Sequence, residues 1–234
     1  MIRLIKNEFI KLGRLKFICS HLVFSLSIMV YYYVNKHTIT EEFILSLLPF
    51  VGVVLSIIFC SIVSSEYTKG TFRIYLTKPV KRTKVYISKL LTIILTLYSI
   101  LLHNLTIYTL LTHKLSVNFT LKYISYSQSL TLVSVIILML STIIKSPSLI
   151  SGITILLLTF GFTLFELLSL TNIKFLEYTF LPYIDLNMIS KVDFINDTLG
   201  TSLSLKKSIL VNTIYTILFF ILGIIIFNKK DIRS

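Results

Sequence analysis

The sequence predicts an all-α membrane protein: six spanning helices, an amphipathic helix before the first, a short helix between the second and third, and short re-entrant helices before the last. Three observations lead there. Hydrophobic residues make up 55% of the 234 positions and charged residues 14%, whereas a soluble domain carries about 25% charged residues. The mean hydropathy is +0.87, which marks lipid as the solvent. Apolar runs of spanning length recur six times, and basic residues gather in alternate connections. Six spans of about 20 residues leave no room for a separate soluble domain, so 1–234 reads as one transmembrane unit.

Residues 1–16 open the chain. Ile2, Ile5, Phe9 and Leu12 recur on one side of a helix, with Arg3, Lys6, Asn7 and Arg14 on the other. Such a helix lies in the membrane interface; a plain basic anchor that only sets topology is the alternative, and both put the segment on the inner membrane surface. Spans follow at 17–34, 43–64, 85–111 (apolar from Leu90), 123–144, 149–170 and 209–227. They are expected as helices because every backbone amide in hydrocarbon needs an internal partner. The fourth is the weakest, since Tyr123 to Ser129 is polar and aromatic. No small-x-small site follows the first, so it reads as a span and not as a cleaved signal.

Charge orients the bundle. With the N-terminus inside, the inner segments hold 16 of the 23 Lys and Arg and 3 of the 10 acids, Glu8, Glu66 and Asp231. The positive-inside rule expects this asymmetry. The basic balance is thereby explained by topology and by anionic inner-leaflet lipid, so nucleic acid is not expected as a partner.

The inner loop 65–84 carries the most local information. Gly70 ends the second span's helix and Thr71 can cap a new one. Phe72, Ile74, Tyr75 and Leu76 give it an apolar face beside Arg73, and Pro79 stops it through its effect on Lys78. Thr83 is placed to cap the third span. The outer segment 171–208 is too polar to span and too aromatic for a free linker. It is expected to form short helices dipping into the outer leaflet under protein cover.

Signals for other chemistry are thin. The seven glycines form no phosphate cradle. Cys19 and Cys60 have no metal-ligand spacing and sit in a reducing setting, so no disulfide is expected. His21, His37 and His113 lack ligand spacing, and Ser151 has no companion that would make a protease. Glu166 is the one acid inside a run. It lies 17 residues beyond Leu149, or about 25 Å at 1.5 Å per residue. It is expected near the outer interface, either with an outer partner or as an outer gate. His103 and Asn104 lie mid-span and are expected to hydrogen-bond to a neighbouring helix. With no Ala in the chain, Ser, Thr and Gly must allow close helix approach. The scarcity of buried ionisable residues argues against an ion-coupled carrier.

The run Glu66-x-x-x-Gly70-Thr71-Phe72-Arg73-x-x-Leu76-Thr77-x-Pro79-Val80-x-Arg82, followed by Ser88-Lys89, resembles the loop signature of ABC-2 type transporter permeases. The amphipathic start, six spans and long segment before the last span are similar to that family too. Small size and a Lys/Ile-rich sequence resemble its Gram-positive peptide-export and bacteriocin-immunity members. The resemblance implies a coupling helix that docks on a separate cytoplasmic ATPase. Gly70, Thr71, Phe72, Arg73, Tyr75 and Leu76 would make the contact, with Glu66, Pro79 and Arg82 flanking it. It also implies a second permease, identical or not, and ATP and Mg on the ATPase, with no cofactor and no catalysis on this chain. The cargo expected from apolar and hydroxyl linings is hydrophobic or amphipathic, peptide first. An ion-coupled secondary transporter and a non-transporting membrane immunity or sensor protein remain alternatives.

Overall fold

The computed structural model describes residues 1–68, 81–113, 115–169, 177–184, 196–197 and 202–229, without the side chains of 67, 68, 162, 166 and 169. The described residues are all-helical, with no strand among them. α1 is Ile2–Leu12 and α2 is Arg14–Val34. The amphipathic helix therefore ends at Leu12 and not at 16. Gly13 divides the two helices at φ 81°, a left-handed backbone that a side chain would strain.

α3 (Glu41–Phe59) starts at a cap: the Thr40 hydroxyl accepts from the Phe43 amide. A turn over 60–63 separates it from α4 (Ser64–Thr68). Serines cover the carbonyls this turn exposes, Ser64 donating to Cys60 O and Ser65 to Ser61 O.

α5 spans Arg82–Thr112, and its N-cap is Lys81, with no side-chain cap. Thr83 lies inside the helix, so the expected cap is corrected: the helix starts at Arg82, after Lys81 in extended backbone. At 31 residues α5 is about 47 Å long and overhangs a hydrocarbon core of ~30 Å. α6 (Val117–Ile143) begins six residues ahead of the expected fourth span, because Ser116 caps it by accepting from Phe119 N. α7 is Pro147–Ser169, α8 is the single turn Leu181–Ile184, and α9 is Leu205–Lys229.

Among the described residues, five helices are long and apolar enough to cross a membrane: α2, α3 with its continuation to Glu66, α5, α6 and α9. α7 carries a shorter apolar stretch, Pro147–Gly161. α5 and α6 bury most of their apolar length, while α2 and α9 leave most of theirs uncovered. In a bilayer that uncovered surface faces lipid, whereas in water it would be an aggregation liability.

Small residues set the closest approaches. Gly52 on α3 faces Leu130 and Leu158, and Gly161 on α7 faces Ile184. Gly223 on α9 receives the buried Tyr86 ring of α5. Ser125, Ser129, Ser134 and Ser141 run down the buried side of α6. They supply the narrow contact that the absent alanines would give.

Candidate functional site

Four charges meet where α1, α4 and α5 converge. The Lys89 ammonium lies 3.0 Å from Glu8 Oε2 and 2.9 Å from Glu66 Oε1. Lys11 lies 3.1 Å from Glu8 Oε1 and 2.6 Å from Glu66 Oε1. Signs alternate around this ring, so each charge has two opposite neighbours. Lys89 is fully buried, and Glu8 and Glu66 are each 5% exposed; Lys11 keeps about half its side chain in solvent. Lys89 also donates to Ile62 O in the turn after α3, at 3.0 Å. Burying charges is costly unless they are paired this closely.

Local sequence explains the convergence. Glu8 and Lys11 are three apart on α1 and share a face. Ile5, Phe9 and Leu12 are only half-buried beside them, and Ile2 and Ile10 stay exposed. Glu8, which the apolar pattern passes over, is thus the buried centre of that helix. From sequence Lys89 is counted only among the cations of the inner segments. Seven residues into α5, it turns inward to the two carboxylates. Buried ionisable groups are therefore present, just outside the apolar runs, which weakens the case against an ion-coupled carrier.

Of the expected coupling residues, Glu66 and Arg82 are described. Glu66 joins the ring. Arg82 sits at the start of α5 and its Nη1 donates to Asn228 O at 2.8 Å, satisfying a carbonyl at the end of α9. Gly70, Thr71, Phe72, Arg73, Tyr75, Leu76 and Pro79 lie outside the described residues. So does the side chain of Glu166, whose backbone belongs to the last turns of α7. Both cysteines are free, Cys19 exposed and Cys60 buried. Among the described residues no group of three or more His, Cys, Asp or Glu could hold a metal.

A second polar cluster joins α6, α8 and α9. Ser129 donates to Tyr183 O at 2.9 Å, and Asn212 Nδ2 donates to Ser129 Oγ at 2.9 Å. Ser125 bonds Ser208 at 3.3 Å. These side chains are all buried, and they satisfy the carbonyl end of a helix too short to satisfy itself. Nearby, Lys207 lies 3.2 Å from Glu177 and 4.9 Å from the Tyr178 ring centre. Burial would raise the Glu177 carboxyl. Hydrogen bonds from Ser202 and Lys207 outweigh it and hold the group below its ordinary value.

Mid-bundle, His103 Nε2 pairs with Ser25 Oγ of α2 at 2.7 Å, as expected for a residue that ties helices. Asn104 differs. It is 1% exposed, and neither carboxamide atom finds a hydrogen-bond partner among the described residues. One residue on means about 100° around the helix, so His103 faces α2 while Asn104 faces the apolar interior.

Uncovered apolar helices around a polar-stapled interior define a helical protein embedded in a membrane. Residues 5–233 match the model of the family described as protein of unknown function (DUF2705), and the chain belongs to that family. No curated protein matches it.

Proposed function

We propose that this chain is the transmembrane subunit of an ATP-driven exporter, with six crossings, both termini in the cytoplasm, and a separate ATPase docking on residues 69–80. The observation that carries the reading is the charge ring. A connection that must transmit a push needs fixed ends. Glu66 stands just before this segment and is held by Lys11 and Lys89; Arg82 stands just after it and is held by Asn228. An ordinary turn would not need buried charge at its base.

Topology supports the same reading. α1 and the end of α9 both meet 81–89 at one end of the bundle. At the opposite end Tyr31 stacks on Phe43, and Ser125 meets Ser208. Both chain ends on one side call for an even number of crossings, and counting α7 with the five long helices supports six. Among the described residues the same end holds most of the cations, as a cytoplasmic side should. The cargo class is hydrophobic or amphipathic, peptide first, and a second permease completes the path.

Co-purification decides the first step. A soluble protein with a phosphate-binding loop, encoded beside this chain, should be captured by it. Replacing Phe72 or Arg73 should abolish ATP-driven transport with the helices still inserted. Normal transport in both variants would remove the coupling role. The buried Lys89, Glu8 and Glu66 favour one other reading, an ion-coupled carrier, because such carriers bury ionisable groups. Transport by the reconstituted chain under an ion gradient, without ATP, would favour it. Protection of cells with a catalytically dead ATPase would instead indicate a non-transporting immunity or sensor protein.

A further inference from the structure

We propose that α1 is itself a force-bearing element, yoked by the Glu8–Lys11–Glu66–Lys89 ring to both flanks of segment 69–80, and that it relays their motion to α2 across Gly13. The inference rests on the exporter reading and extends it to a helix that the reading leaves as an anchor.

Three features carry it. First, α1 is attached by charge more than by apolar burial. Its one buried residue is Glu8. A helix that only floated in the interface would keep its acid wet. Second, the attachment is double-ended. Glu8 reaches Lys89, inside the helix that follows the segment, and Lys11 reaches Glu66, on the helix that precedes it. Glu8 also binds Lys11, and Glu66 also binds Lys89. A displacement of either flank therefore pulls on α1. Third, the far end of α1 has a joint. Gly13 is at φ 81° with nothing within 4 Å of where a Cβ would sit, and α2 starts at the next residue. Across the joint, Phe9 and Phe17 meet edge-on with ring centres 6.5 Å apart, a contact through which a shift of α1 would reach the base of α2.

The decisive variant leaves the ring electrically balanced. Glu8→Met with Lys11→Met removes one charge of each sign from α1 and leaves the buried Lys89–Glu66 pair intact. Stability is then preserved while the yoke is cut. Spin labels at Asn7 and Lys84, both exposed, report the α1–α5 distance in nanodiscs of the full chain with Cys19 and Cys60 changed to Ser. A narrow distance distribution is expected with native ring residues, a broad one in the double variant, and a narrow one in the control Lys6→Met. ATP-driven transport by the complex should be lost in the double variant although the ATPase still co-purifies.

An unchanged distance distribution would overturn the yoke. A broadened distribution with normal transport would overturn the force-bearing role. If no ATPase associates with the native chain, the exporter reading falls and the relay with it. The distance measurement would still report on the yoke alone.

Discussion

Lys89 shows how burial changes the worth of a charge. Lys89→Met would take the buried cation away from Glu8 and Glu66, and removing one partner of a buried pair costs about 3–5 kcal/mol. Lys11→Met, at a half-exposed position, should cost about 0–1 kcal/mol. Thermal unfolding in detergent checks the order; equal losses would mean that the ring is not buried in solution. Neither value was readable from sequence. Glu8 and Lys89 are 81 residues apart, and each looks like an ordinary interfacial charge until the other is placed beside it. Glu66 was legible as a site residue through the loop signature, but its partners were not.

Glu177 carries the pH prediction. Its carboxyl is held below its ordinary value, so the stabilisation from Ser202 and Lys207 is present above the ordinary carboxylate pKa. It fades as pH falls through the depressed value. Labelling of a cysteine placed at the buried Leu203, measured relative to a free thiol at the same pH, should rise on acidification in the native chain. In Glu177→Gln it should already be high at neutral pH, with no acid step.

At the scale of elements, glycines decide where helices touch. A Cβ on Gly161 would sit 2.6 Å from Ile184 Cγ2 and 3.3 Å from the Leu181 carbonyl oxygen. Gly161→Ala should therefore destabilise by about 1–3 kcal/mol, the usual cost of overpacking. Gly152 lies on the same helix with open space around it. Gly152→Ala should be neutral or stabilising by about 0.5–1 kcal/mol, the helix cost of glycine. Unfolding of the two variants side by side is the check, and matched losses would displace α8 from its seat on α7. The helices themselves were legible, because apolar length is a local property. Their ends were less so: Ser116 and Lys81 moved two starts outward, and Gly13 cut the first helix short.

For the whole molecule, the inner placement of the ring is the testable statement. A cysteine at Lys84 should react with a membrane-impermeant maleimide only when the cytoplasmic face is opened, and one at Ser202 only from outside. Reversed accessibility would invert the topology and remove the ATPase from reach of 69–80.

Composition and periodicity by themselves determined that this chain lives in lipid and is helical, because both follow from residue type along a short stretch. Only the tertiary structure decided that α1 is fastened to the flanks of 69–80, that Lys89 points inward, and that Asn104 faces apolar neighbours. Pairings between residues far apart in sequence depend on which helix faces meet, and no local pattern encodes that.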